Sequence, residues 1–210
     1  MKSPGSPHIC LITKGELTTS NFELEVQVLL DLIGEAVIDG VNLIQIREKN
    51  LPARLLADLV SATLCVISDS TAQVVVNDRV DVALTSGEAA VHLSQRSMSP
   101  AVVRERFGTG LLIGVSTHSL SEAKSAVDAD ANYIVFGPVF DTPGKGPAVG
   151  VDALAVVCQT LRPFPVLALG GIDETNVGLV REAGAAGVAA IRSMYDPESR
   201  RKICQFWSAA

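Results

Sequence analysis

No Cys-x-x-Cys pair occurs in this chain. Its four cysteines, Cys10, Cys65, Cys158 and Cys204, stand far apart. That spacing argues against a zinc site or a disulfide framework and for buried, reduced thiols. Positive charge is also in short supply. The formal net charge is −6, which disfavours broad nucleic-acid binding but leaves room for a local basic pocket that takes a small anion. No apolar run is long enough to span a bilayer, and residues 1–7 contain no apolar signal core. Glycine-rich nucleotide fingerprints are missing too. The first strand ends in Thr13-Lys14-Gly15-Glu16 without a GxGxxG, and no Walker A sequence is present. These absences point to a cytoplasmic protein without membrane or nucleic-acid partners.

What is present is an ordinary globular composition. The 210 residues are 48% hydrophobic, ample for one core and one domain. Residues 1–8 are rich in Pro, Ser and Gly and are expected to be disordered; residues 9–210 form the domain. Apolar runs alternate with helical periodicity along the rest. Strands are expected over residues 9–13, 42–46, 73–76, 90–93, 111–115, 133–136 and 166–169 and from Gly187 onward. Helices fall between them, and a last helix opens at Asp196-Pro197. In the first helix, residues 22–39, the periodicity puts Leu24, Val28, Leu29, Leu32, Ile33 and Val37 on one side. Eight strand–helix units imply a parallel sheet and fit a single (β/α)8 barrel of α/β class; an open doubly wound sheet is the alternative.

In a barrel of this kind ligands bind where strands end. Polar residues recur at those ends. Strand two closes with Gln45, Arg47, Glu48 and Lys49, strand three with Asn77, Asp78 and Arg79, and strand four carries His92. Strand five is followed by Ser116, Thr117 and His118, and the strand-six loop holds Thr142 and Lys145. Alternation puts Gln45, Arg47 and Lys49 on one side. After strand seven, Gly170-Gly171 precedes Asp173, read as the cap of the next helix. After strand eight come Arg192 and Ser193. Two consecutive turns of this kind suit one phosphate, held by backbone N–H groups of Gly170 and Gly171 and by Arg192-Ser193. Plainer roles remain open for several residues. Gly-Gly serves any tight turn, Asp78 can cap a helix, Glu48 can be a buried partner of an arginine, and His92 can be a core residue.

At these residues the chain resembles the thiamine-phosphate synthase/TenI superfamily. The carriers are Gln45-Ile46-Arg47-Glu48-Lys49, Asn77-Asp78-Arg79 and Val91-His92-Leu93. With them go the GVSTHSLSEA run over residues 114–123, Gly137-Pro138-Val139-Phe140 and the turn Leu169-Gly170-Gly171-Ile172. The resemblance implies a (β/α)8 barrel that binds a thiazole phosphate in thiamine biosynthesis, in a family whose members are commonly dimers or larger homo-oligomers. It also implies one of two activities. A synthase joins hydroxymethylpyrimidine pyrophosphate to a thiazole phosphate with Mg²⁺, held by aspartates at Asp78 and just past the V-H-L-x-Q segment. A TenI-type tautomerase moves a proton on thiazole carboxylate phosphate without a metal.

Where the second aspartate is expected, this chain has Ser97, a poorer ligand for a hard cation. Where a synthase has T-x-T-K it has Thr142-Pro143-Gly144-Lys145, and Lys14 replaces an aspartate after strand one. These departures favour the tautomerase, with His118 as the group that moves the proton. Substrate contacts then fall to Gln45, Arg47, Lys49, Asn77, Ser116 and Lys145. The synthase, with Mg²⁺ on Asp78, is the alternative. A non-catalytic sensor of thiamine intermediates is a third reading.

Overall fold

Residues 8–87, 90–144 and 146–208 are described in a computed structural model of the chain. Eight parallel strands close into a barrel in sequence order, β1 (His8–Ile12), β2 (Leu43–Ile46), β3 (Gln73–Asn77), β4 (Ala90–Leu93), β5 (Ile113–Thr117), β6 (Tyr133–Phe136), β7 (Val166–Leu169) and β8 (Gly187–Ala190). Closure is made by β1 against β8, where His8 pairs with Gly187 and Leu11 with Ala190. His8, assigned to the disordered segment from sequence, is therefore the first residue of β1. Residues 1–7 lie outside the described residues.

Helices α1 (Phe22–Asp39), α2 (Ala53–Val66), α3 (Val80–Thr85), α4 (Pro100–Phe107), α5 (Leu120–Asp128), α6 (Val151–Leu161) and α7 (Val177–Glu182) connect the strands. A short turn, α8 (Arg192–Tyr195), and the terminal α9 (Pro197–Ser208) complete the ring. Alternation along each strand sorts side chains into two populations. Those facing outward, such as Ile44 and Ile46, Val74 and Val76, Ile134 and Phe136, pack with helical residues in one large core. Those facing inward, including Cys10, Ile12, Leu43, Val75, Tyr133, Val135, Leu167 and Ala189, form a second, smaller cluster inside the barrel. Tyr133 lies across β5 at Gly114, where a Cβ would run into its ring, so the missing side chain makes room for the phenol.

The α1 boundaries match the periodicity, and so does part of its buried face: Leu29 and Ile33 are buried and Leu32 and Val37 pack against the core, but Leu24 and Val28 do not. Leu24 and Val28 are 78% and 63% exposed, while Phe22, Leu29, Leu30, Ile33 and Ala36 are buried. This helix is apolar over more than one stripe, so periodicity alone could not choose between them. Arg200, 1% exposed, settles the orientation from α9. Its guanidinium pairs with Asp39 at 2.7 Å and Glu35 at 3.4 Å, and it donates to the Met194 carbonyl. Cys65 is exposed, contrary to the expectation of four buried thiols; the other three are buried and all four are free. Among the described residues no helix is long and apolar enough to cross a membrane.

Two boundary differences bear on the site. β5 is shifted two residues from the expected 111–115, because Ser116 and Thr117, though polar, continue the ladder opposite Val135 and Phe136. After β7 the helix starts at Val177, with Asn176 in the cap position, and not at Asp173. The Asp173 carboxylate instead accepts from the amide and hydroxyl of Thr175, closing a local turn that delays the helix. The Gly170-Gly171 turn is thus separated from the α7 terminus.

Candidate active site

The strand ends bring most of the sequence-predicted residues to one mouth. On its first side a hydrogen-bonded row runs from β2 to the loop after β4. The Gln45 amide donates to Asn77 Oδ1 at 2.9 Å, and the Asn77 amide donates to Asp78 Oδ2 at 2.8 Å. Asp78 Oδ1 accepts from the Ser94 amide at 3.0 Å and from the Ser97 hydroxyl. Burial would raise the Asp78 pKa, but the bonds from Ser97 and Ser94 and the charge of Lys49 outweigh it, holding the carboxyl below its usual range. Asp78 is also one of only two described non-glycine residues with positive φ, at 61°. Its own amide donates to the His92 carbonyl at 2.8 Å. A left-handed residue at a strand end, held ionised by neighbours from the next loop, is the kind of strained feature that collects at functional sites. Asp78 therefore does not act as a side-chain cap for α3, whose N-cap position is Arg79.

Gln45 is 3% exposed and sits below the mouth, so it orients Asn77 more than it meets a ligand. Arg47 is half-buried and Lys49 exposed, both rising from β2. Glu48, 4% exposed, points the other way. It accepts from the amides of Gly15 and Leu17 at 3.0 and 2.8 Å, fastening the loop after β1; its partners are backbone amides and not an arginine. Lys14, standing where the synthase pattern has an aspartate, lies 4.4 Å over the ring of Tyr195. A cavity of about 400 Å³ opens beside it, lined by Leu17, Glu48 and Tyr195 among others. A larger one, about 840 Å³, lies at the opposite end of the barrel among Gln73, Ala90, Phe107 and Leu112, away from these polar groups.

The centre of the mouth belongs to β4 and β5. His92, 2% exposed, meets Ser116 Oγ at 2.8 Å through Nε2, and burial drives its pKa down to about 4 against the opposing pull of Asp78. His118, further out and exposed, bonds the Gly137 carbonyl through Nδ1, which must be the donor because a carbonyl only accepts. In the neutral ring Nε2 is then the basic nitrogen.

The last side is built from backbone. The amides of Val139 and Phe140 donate to the carbonyls of Leu169 and Gly170 at 2.8 and 3.0 Å. Gly170 has φ 103°, and a Cβ there would come within 2.5 Å of Pro138; at Gly171, φ 63°, it would come within 2.8 Å of the Asp141 carbonyl. The double glycine is thus required by the packing of the β6 loop on the β7 loop, whatever else its amides do. Ser193 donates to the Ile172 carbonyl at 2.8 Å, tying the start of α8 to the same turn, and Arg192 is exposed. Thr142 donates to the Phe140 carbonyl within its own loop. Lys145 lies outside the described residues. The Ser94–Ser97–Asp78 cluster was missed from sequence as a unit; the signal available was the departure at Ser97 itself.

The family model described as thiamine monophosphate synthase matches residues 9–194. The chain belongs to this family. Among curated relatives, a putative thiamine-phosphate synthase of Geobacter sulfurreducens is 44% identical over 178 residues, covering 83% of each chain. A thiamine-phosphate synthase of Roseiflexus sp. is 38% identical, covering 81% of this chain and 75% of that one. Among solved structures, thiamine phosphate pyrophosphorylase from Pyrococcus furiosus superimposes with a TM-score of 0.82 at 29% identity, covering 98% and 96% of the two chains. A 3-hexulose-6-phosphate synthase from Salmonella typhimurium, 16% identical with a TM-score of 0.71, shares the barrel fold. Like the family members whose names describe a synthase, the chain is an enzyme.

Proposed function

We propose that this enzyme is a thiamine-phosphate synthase, which revises the preference for a tautomerase drawn from its departures. The relatives' names support this. The observation that carries it is Asp78, an ionised carboxylate at the mouth beside Lys49 and Asn77. A carboxylate could also serve a proton shift as a base, but both oxygens of this one accept hydrogen bonds. Beside Lys49 it suits a cation that would take up the charge of a leaving pyrophosphate. Ser97, which weighed against the synthase, supports the same carboxylate by donating to it.

The donor set fits magnesium of the kind that takes one or two carboxylates from the protein and its remaining oxygens from substrate phosphates and water. Asp78 would hold the ion, which when bound would neutralise charge on the leaving pyrophosphate. Arg47, Lys49 and Asn77 would bind that pyrophosphate, with Lys145 as a further cation. Gln45 would orient Asn77. The C–O bond between the pyrimidine methylene and the pyrophosphate breaks, and the thiazole nitrogen forms the new C–N bond. Ser116 would contact the pyrimidine, and the backbone of Gly170-Gly171 with Arg192 and Ser193 would hold the thiazole phosphate.

The test is a coupled assay offering pyrimidine pyrophosphate and thiazole phosphate with and without Mg²⁺. Mg²⁺-dependent thiamine phosphate is the expected product. Its absence, together with isomerisation of thiazole carboxylate phosphate in EDTA, would return the assignment to the tautomerase. His118 is the observation favouring that second reading, since its bond to Gly137 leaves Nε2 as a base at the mouth.

A further inference from the structure

His92 sits on β4 one layer below the mouth, and its ring is enclosed by the barrel interior. The ring centroid of Tyr133 is 6.0 Å away. Nε2 meets Ser116 Oγ at 2.8 Å, and Nδ1 is buried without a hydrogen-bond partner among the described residues. The ring is buried with no carboxylate on either nitrogen, which favours the neutral form with one proton on one nitrogen or the other.

The two placements differ in cost. If Nδ1 carried the proton, Nε2 would accept from the serine hydroxyl and a buried N–H would be left unpaired. If Nε2 carries it, the ring donates to Ser116 and only a lone pair is left unpaired. Orphaned buried donors are rarer in proteins than under-satisfied acceptors, which marks them as the more expensive defect. The second placement has a consequence for the serine. With one lone pair of Oγ engaged by His92, the hydroxyl hydrogen is directed away from the ring. Ser116 is half-buried and lies two residues before His118, at the level where a ligand meets the barrel.

We infer that His92 is a positioning residue that holds Ser116 as a hydrogen-bond donor toward an acceptor atom of the substrate, through an Nε2–H to Oγ bond inside the barrel. This rests on the synthase reading only for the identity of that substrate. A protonated amine has no acceptor to offer this hydroxyl; a ring nitrogen or an anionic oxygen does. The hydroxyl of a threonine in place of Ser116 would keep the pattern, and an alanine would lose it.

The decisive experiment is ¹⁵N NMR of the histidine rings in the whole protein. Only three histidines, His8, His92 and His118, need assignment. His92 is expected as the neutral Nε2–H tautomer at pH 7. An Nδ1–H tautomer, or a charged ring, overturns the inference whether or not the protein makes thiamine phosphate. In the coupled assay, Ser116→Ala and His92→Leu should each lower kcat/KM about tenfold, the worth of one ordinary hydrogen bond. The double variant should fall no further, and His92→Gln, which can donate from its amide, should recover part of the loss. Additive losses would overturn the inference, since they would mean that His92 acts through packing alone. No turnover by the wild type would refute the synthase assignment and leave the NMR result to judge His92.

Discussion

The two sides of the mouth are made of different material. From β2 to the loop after β4 it presents side chains: Arg47, Lys49, Asn77, Asp78 and Ser97. From β6 to β8 it presents backbone, with the turn at Gly170-Gly171 pressed against the loop at Pro138. The side-chain half concentrates charge that can be removed without disturbing the chain's path. On the backbone half, the groups proposed to hold a phosphate belong to the same turn that carries the architecture. A substitution there tests folding before it tests binding. The contrast suits a substrate pair in which one anion must depart and the other must stay.

The sharpest way to break this comparison is Asp78→Asn. It should cost about 10²–10³-fold in thiamine-phosphate formation, the scale for removing one preorganised electrostatic group. Its thermal midpoint should stay close to wild type. A variant that instead fails to fold would show that the side-chain half is architecture too. Gly170→Ala should do the opposite. Forcing a Cβ into left-handed backbone costs about 1–3 kcal/mol. The thermal midpoint should fall by about 2–4 °C for each kcal/mol in a chain of this size. An unchanged melting curve would mean that the β6 and β7 loops are not packed as described.

Ser97→Ala should have a subtler effect. Removing its bond lets the Asp78 pKa rise, since that bond is one of the causes lowering it. A carboxylate with a depressed pKa stabilises the folded state above its unfolded pKa and loses that contribution as pH falls through the folded value. The acid limb of the activity profile, and the acid side of the stability curve, should therefore both move to higher pH. A limb that stays in place would detach Ser97 from Asp78. The smallest effect is expected at His118→Ala, which should leave synthase turnover nearly unchanged. Loss of a true proton-transfer group would cost about 10²–10⁴-fold, so a fall of that size would put His118 back at the centre of the chemistry.

Much of this molecule could be read before any fold was in view. Strict alternation of strand and helix implied a parallel sheet, because outward-facing Ile, Val and Leu on every strand need helices to cover them, and the count of eight units favoured the closed barrel over an open sheet. Glycine at positions 170 and 171, and polar residues at successive strand ends, marked the mouth. Tertiary structure decided matters that depend on partners distant in sequence. Leu24 and Val28 face outward because α2 and α9 pack on the other stripe of α1. Glu48 serves the loop after β1 because Gly15 and Leu17, more than thirty residues away, present their amides to it. Asp173 was lost as a helix cap because Thr175 captured its carboxylate first. The sequence alone determined which residue types reach each strand end, since a two-residue period and apolar burial are local properties. Which of them touch, and which are held charged, waited on the pairing of neighbouring strands. Only the pairing of β3 with β4 and of β4 with β5 puts Ser97 on Asp78 and Ser116 on His92, and the energies of those pairs depend on distances that no spacing in the chain records.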